Sequence, residues 1–325
     1  MGSFYADTIG LYPGIWTIVA VFKIENSQAS NFLAACEEGS IRAASERLGT
    51  EPSTVSRQIQ ALEQSLNTTL IERGRRGVSP TQAGDILLAY LKRQQNEQEA
   101  LLFEFDELAG MRRGELVVAV GNGFVSDFIG NALTKYKQSF PGFTYDLITG
   151  STEQVMHAVR TDRAHIGLAY NASKDRMIRV AAQTKQPLEV LVSPTSEWAG
   201  MTAPLSMRDL EGVPCALLKS GSGVVDMIRA AEASHGARLT ATVRSDSLMV
   251  LRNFVREGLG VTILPAFVVT REIAEGTVAT KPLDVSEFHQ GEASILTRSG
   301  RRLPEGATRL VDYAIRSMAA FSPVN

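Results

Sequence analysis

The stretch from Phe32 to Gly84, FLAACEEGSIRAASERLGTEPSTVSRQIQALEQSLNTTLIERGRRGVSPTQAG, admits few folds. Phe32, Leu33, Ala35 and Cys36 make an apolar face at helical spacing. Gly39 closes that helix, and Ser40 is a suitable cap for the next. Ala43, Ala44 and Leu48 form a narrow apolar stripe on a small second helix, and Gly49 supplies a turn. Pro52 and Ser53 open a third helix, Pro being tolerated where its missing N–H costs nothing. Val55, Ile59, Leu62 and Leu66 fall on one face of it. An Arg-rich hairpin and another helix start follow. This order predicts a winged helix-turn-helix, which places one helix in the DNA major groove.

The third helix leaves Ser53, Thr54, Ser56, Arg57, Gln58 and Gln60 for other surfaces. Hydroxyls, amides and guanidinium groups are the side chains that read base edges and phosphates. Ser40, Arg42 and Pro52 join Ser53, Thr54, Ser56, Arg57 and Gln60 as candidate DNA contacts. Arg73, Arg75 and Arg76 sit in the predicted wing, with Gly74 and Gly77 at its bend. Guanidinium groups on a hairpin tip suit phosphate or minor-groove contact. Taken singly, each feature is also what a solvated polar face or charged turn looks like; the sequential order favours DNA. Net charge does not: Ser27 to Asp85 holds six arginines against seven acidic residues. Affinity must come from where the arginines lie, with the acids turned away.

The same residues resemble the LysR-type transcriptional regulators. The matching signatures are Gly39-Ser40, Ala43-Ala44, Leu48, Ser56-Arg57-Gln58-Ile59, Leu62-Glu63, Leu66, Leu70-Ile71-Glu72-Arg73 and Ser79-Pro80-Thr81-Gln82-Ala83-Gly84. Two positions depart from the family pattern. Pro52, preceded by Glu51, stands where the family often has Gln, so the bidentate amide that reads adenine is lost and a different operator half-site is expected. Ile71 replaces the family's Phe, a mild core change.

The chain has 325 residues, 44% hydrophobic and 21% charged, with a net charge of −2. That is enough for two or three domains with real cores, and too little charge for bulk attraction to nucleic acid or anionic membrane. The two cysteines, Cys36 and Cys215, fall in different predicted domains and read as small core residues in a reducing, cytoplasmic setting. A thiol sensor is the minor alternative. Residues 9–24, IGLYPGIWTIVAVFKI, are apolar but interrupted by Pro13, too short to span a bilayer, and lack the basic region of a secretory signal. The expectation is a non-family extension over residues 1–26, arising from an upstream start, with the natural start near Val21.

A long helix is predicted from about Thr81 to Ala109. Leu87, Gln94, Leu101 and Leu108 repeat every seven residues, with Leu91, Gln98 and Phe105 offset by four. This is a coiled-coil-like seam with a polar middle. In the family this linker pairs two chains, so a homodimer, with dimers joined into a homotetramer, is the expected assembly. Two recognition helices about one turn apart, ~34 Å, multiply affinity. A single helix packed on its own domain is the alternative.

From Glu115 strands alternate with helices. Expected strands are Leu116 to Val120, Tyr145 to Thr149, Ile166 to Tyr170, Glu189 to Ser193, Ala216 to Leu218, Val261 to Leu264 and Ala293 to Leu296. Asp127 to Ser139, Thr152 to Thr161, Val224 to His235 and Ser247 to Glu257 read as helices. The chain is long for one sheet, so an α/β domain in two lobes is expected. Phe140-Pro141-Gly142, Gly150, Pro187-Leu188 and the run Glu257 to Pro265 resemble the family's effector domain, which is similar to a type 2 periplasmic binding protein. His165 departs from the family's usual Asp; a satisfied core or cleft histidine is expected.

The expected fold class is therefore α/β overall: an α-rich winged helix-turn-helix (27–85), a linker helix (81–110) and a two-lobed α/β effector domain (115–323). Lobe I takes about 115–185 and 283–323, and lobe II about 187–282. Three strand-to-helix turns carry small polar residues: Gly121-Asn122-Gly123, Gly150-Ser151-Thr152 and Ser220-Gly221-Ser222-Gly223. Ser151 with Gln154 forms a capping-box pattern. Helix starts expose N–H groups that bind oxyanions, and such turns converge on the crevice at the strands' carboxyl ends. Asn122, Phe124, Ser151, Thr152, Ser220, Ser222 and Ser247 are the candidate effector contacts, with ordinary helix capping as the alternative. A small organic anion is the expected effector.

No GxSxG, P-loop, HExxH or CxxC is present, and His157, His165, His235 and His289 show no metal spacing. No cofactor, metal site or catalytic residue is expected. A solute-binding protein or an enzyme are weaker readings than a DNA-binding regulator modulated by a small molecule. The expected partners are double-stranded promoter DNA, the effector, further copies of the chain and RNA polymerase, with no membrane.

Overall fold

The computed structural model describes residues 24–74, 77–108, 113–219 and 222–322. The expected extension over 1–26 thus lies outside the described residues up to position 23. The chain divides into two compact units, Met1–Gln95 and Asn96–Asn325.

In the first unit, α1 (Asn26–Glu38), α2 (Ile41–Leu48) and α3 (Pro52–Leu66) precede the hairpin of β1 (Ile71–Gly74) and β2 (Gly77–Pro80). Phe32, Ala35, Ala44, Val55, Ile59 and Leu62 are completely buried and form its core. α1 ends at Gly39 in the left-handed conformation, and Ser40 caps α2 by accepting from the Ala43 N–H at 3.4 Å. The Gly39 carbonyl accepts from the Val78 N–H at 2.8 Å, which seats the hairpin on the α1–α2 turn. Pro52 occupies the first turn of α3, where no intrahelical N–H is lost.

α4 runs from Gln82 to Leu108, 27 residues and about 40 Å at 1.5 Å per residue. The expected heptad seam is not one continuous surface. Leu87 and Leu91 are buried in the first unit's own core, whereas Leu101 and Phe105 are exposed, as are Ile86 and Tyr90. The physical reason is local: the first turns of α4 complete the helix-turn-helix core, so the apolar face there is already used.

The second unit holds a five-stranded sheet in lobe I and, in lobe II, a three-stranded sheet and a two-stranded pair. In lobe I the order is β4-β3-β5-β12-β6: β3 (Arg113–Gly121), β4 (Gly142–Gly150) and β5 (Ile166–Tyr170) are parallel, and β12 (Glu292–Arg298) runs antiparallel to β5 and β6 (Ile178–Lys185). A helical stretch over 122–139, partly in π geometry, follows β3, and α5 (Thr152–Arg160) follows β4. In lobe II, β7 (Leu188–Val192) lies between β10 (Thr262–Pro265) and β11 (Ala279–Pro282). β8 (Pro214–Leu218) pairs in parallel with β9 (Thr240–Ser245), and a bridge from Cys215 to Val261 joins the two sets. Helices α6 (Gly223–His235) and α7 (Leu248–Arg256) connect these strands, and α8 (Glu305–Ser317) closes lobe I. The chain crosses between lobes at Gln186-Pro187 and again over 283–291.

The seven expected strands all exist. β6, β9 and β11 are additional, and α8 follows β12. His165 is satisfied: its Nδ1 accepts from the Val117 N–H at 3.0 Å, extending the β3–β5 pairing by one side chain.

Candidate functional site

The expected recognition residues lie on the outer face of α3. Ser53, Arg57 and Gln60 are placed there at helical spacing, while Thr54 and Ser56 flank the core residues Val55 and Ile59. Pro52 is exposed at the helix start, and Ser40 is half-buried and occupied as a cap. Arg42 pairs with Glu46 at 3.2 Å across an exposed turn, a contact worth little in water. Arg73 is exposed on β1; Arg75 and Arg76 lie outside the described residues. Among the described residues Arg57 and Arg73 make no ion pair.

Four of the acids between Ser27 and Asp85, namely Glu37, Glu38, Glu46 and Glu63, are engaged, whereas Glu51 at the start of α3 and Glu72 beside Arg73 are exposed and make no ion pair among the described residues. Glu37 and Glu38 both pair with Arg47, and Glu37 also pairs with the buried Lys92. Glu63, on the inner side of α3, accepts from the Leu70 N–H at 2.7 Å and the Ile71 N–H at 3.2 Å. Arg57 and Arg73 are thus exposed and free of ion pairs on a domain with more acids than bases, available to phosphates although Glu72 adjoins Arg73 in the chain.

In the second unit a cavity of about 450 Å³ opens where lobe I turns meet lobe II loops. The β3 turn contributes Asn122 and Phe124, and the β4 turn contributes Ser151 and Thr152. Ser222, at the start of α6, faces them from lobe II. These five were expected from the sequence and line one wall system. Ser247 is not in the wall: its neighbours Asp246 and Leu248 are, and Ser247 caps α7 with its hydroxyl unused in the cap. Ser220 lies outside the described residues.

Several wall residues carried no signal in the sequence. Phe267, Val268, Leu264 and Leu248 supply most of the apolar lobe II face, and Tyr170 closes the floor. Phe267 stacks on Phe124 with ring centroids 4.8 Å apart, an aromatic contact across the lobes. Thr152 donates its hydroxyl to the Tyr170 carbonyl at 3.0 Å. Ser151 and Gln154 form the reciprocal capping box at the start of α5.

The cavity's charge is modest. Glu153 and Asp246 stand at its rim, with Arg160 3.8 Å from Glu153 and Lys219 3.6 Å from Asp246. Among the described residues no Lys, Arg, His or Cys lines it. What polar character it has comes from hydroxyls, amides and the first turns of α5 and α6, whose N–H groups lack intrahelical partners. Cys215 is not among the lining residues and belongs to the core of lobe II, and Cys36 packs against the first unit's core. No group of His, Cys, Asp and Glu suited to a metal ion occurs among the described residues. No helix there is long and apolar enough to cross a membrane.

Residues 27–85 match the bacterial regulatory helix-turn-helix proteins of the lysR family, and residues 109–319 match the LysR substrate binding domain. The chain belongs to the LysR family. Its relatives include a probable nitrogen assimilation transcriptional activator of Synechococcus elongatus, 26% identical over 75% of this chain and 78% of that protein. Among solved structures, a full-length OxyR variant from Pseudomonas aeruginosa superposes with a TM-score of 0.66 at 19% identity, covering 90% of this chain and 95% of that one. The Synechocystis CcmR regulatory domain in complex with 2-PG superposes with a TM-score of 0.55 at 18% identity, covering 63% of this chain and 97% of that one. The N-terminal helical helix-turn-helix and the two-lobed α/β effector domain are the architecture of this LysR family.

Proposed function

We infer that this LysR-family chain is a transcriptional regulator that binds promoter DNA through α3 and the wing, under the control of a small molecule held between the lobes. The observation that carries the reading is the presence, in one chain, of a helix-turn-helix unit whose Arg57 and Arg73 are exposed and free of ion pairs, and of a cavity walled by both lobes. Arg57, Ser53 and Gln60 are assigned to base edges and nearby phosphates, and Arg73 with Arg75 and Arg76 to the phosphate backbone. Pro52 removes an adenine-reading amide from the helix start. The 2-PG complex of the CcmR domain supports the small-molecule role, because it places a ligand in a domain of this fold.

The effector class follows from the wall. Helix starts at Ser151 and Ser222 favour one oxyanion group. The apolar face of Phe124, Phe267, Leu248 and Leu264 favours a carbon-rich body, and Glu153 with Asp246 oppose a second anionic group. The protein is assigned no catalytic activity, since no nucleophile–base pair lines the cavity among the described residues. A dimer along α4, paired into tetramers in the cytoplasm and acting on RNA polymerase, completes the reading; the exposed Leu101 and Phe105 support a partner helix.

The deciding experiment is a footprint of the full-length protein on the DNA upstream of its own gene, at two salt concentrations. Protection over several helical turns that weakens at high salt and disappears in Arg57→Ala supports the assignment. Protection that is indifferent to Arg57→Ala removes α3 from the interface. No protection at low salt removes the regulator reading for that DNA.

A further inference from the structure

Tyr170 is the last residue of β5, 6% exposed, and serves two places at once. On one side it forms the floor of the cavity: its carbonyl accepts the Thr152 hydroxyl at 3.0 Å, and its ring lies 6.2 Å from that of Phe267 in lobe II. On the other side its hydroxyl donates to the Gln186 carbonyl at 2.7 Å, at the first crossover between the lobes. The second crossover is in contact with the same group. Gln186 N–H donates to the Gly291 carbonyl at 2.8 Å, and a methyl on Gly291 would overlap the Tyr170 hydroxyl. The next residue, Asn171, donates its N–H to the Glu292 carbonyl at 2.7 Å.

A phenylalanine would satisfy the apolar packing of this position. The hydroxyl is needed only where the two crossovers meet. Gln186 is itself anchored from behind, its side-chain amide donating to the carbonyls of Ala320 and Ser322 at 3.0 and 3.1 Å. The phenol therefore joins the cavity floor to a crossover that the C-terminal turn holds fixed.

We propose that Tyr170 is a positioning residue that links the cavity floor to both interlobe crossovers, so that a change at the floor reaches the hinge through its ring and hydroxyl. Its regulatory meaning rests on the reading of the cavity as the effector site. A ligand acts on lobe angle only through contacts that differ between arrangements. The side chain of Tyr170 meets lobe II at Phe267, ring to ring at 6.2 Å, and the crossover at the Gln186 carbonyl, 2.7 Å from its hydroxyl, while its backbone carbonyl holds Thr152.

Hydrogen exchange of the full-length protein, with no ligand added, tests the linkage. In Tyr170→Phe the amides of Asn171 and Gln186 and the turn from Ser151 to Gln154 exchange about tenfold faster, while β8 and β9 keep wild-type rates. Gly291→Ala, which displaces the hydroxyl from the opposite side, gives the same pattern. Acceleration confined to Gln186 overturns the proposal, since that is the mark of one local hydrogen bond. Uniform acceleration across both lobes, or none, overturns it as well. Because no ligand enters the experiment, a negative result leaves the effector reading intact, and a cavity that binds nothing leaves the linkage standing.

Discussion

The carboxylate of Glu63 on α3 lies 2.7 Å from the amide nitrogen of Leu70, where the chain enters the wing. It also accepts from Ile71 at 3.2 Å, so one side chain sets the hairpin's position against the recognition helix. Glu63→Ala leaves two part-buried N–H groups without that acceptor. It is expected to lower stability by about 2 kcal/mol in urea unfolding and to weaken duplex binding beyond that loss. Wild-type affinity in a folded Glu63→Ala protein would show that the wing does not need this tether.

Burial pushes the Cys36 thiol up to about 12 and the Cys215 thiol up to about 11. Both therefore stay protonated near neutrality, and alkylation of the native protein at a pH of about 7.5 is expected to be slow. The stability contribution has a definite sign. A thiol raised in the folded state favours folding fully below its unfolded value of about 8.5, and that advantage is lost as pH rises toward the folded value. Wild type should thus lose roughly 2 kcal/mol between about pH 8.5 and 11 that Cys215→Ala does not lose. Parallel pH profiles for the two proteins contradict this.

Gly260 has φ 153°, and a side chain there would overlap the Pro214 carbonyl oxygen. That carbonyl accepts the Val261 N–H at 2.9 Å, part of the bridge joining the two strand sets of lobe II. Gly260→Ala is expected to destabilise the effector unit by about 3 kcal/mol. A thermal unfolding curve should show the loss, while duplex binding by the first unit persists. An unchanged melting temperature would mean that the backbone relaxes freely at this point.

Ser151→Ala combined with Thr152→Val removes two hydroxyls from the cavity wall and the donor to Tyr170. The double variant is expected to bind promoter DNA normally and to lose most of its response to the effector, by about tenfold in half-maximal concentration. Calorimetry with a panel of aromatic and aliphatic monocarboxylates provides the check. Equal affinity in the two proteins would move the pocket elsewhere.

The legible parts of the fold were those where one periodicity dominates. Val55, Ile59 and Leu62 mark α3 because every one of them enters the same core. β5 is visible because Ile166 to Tyr170 is buried without a break. β6 and β9 are not marked in the sequence because both are edge strands with exposed polar residues, Arg179, Gln183 and Lys185 in β6 and Thr240, Thr242 and Arg244 in β9. At the cavity, turns with Gly, Ser and Asn announce Asn122, Ser151 and Ser222, since such turns are local. Phe267, Leu264 and Tyr170 are not local: an apolar residue at a strand end, or in the turn just after it, looks the same whether it meets core or cavity. The heptad reading of α4 failed at Leu87 and Leu91 for the converse reason, as a helix pattern does not say which neighbour buries it.

β12 lies between β5 and β6 in lobe I, yet it follows the whole of lobe II in the chain. A ribosome must therefore release lobe II before lobe I can receive this inner strand. Until residues 292–298 emerge, β5 and β6 present open edges, the state most prone to mispairing with another nascent chain. A regulator truncated before Glu292 would be an aggregation hazard rather than a weaker regulator, so a single late strand decides whether the effector domain exists at all.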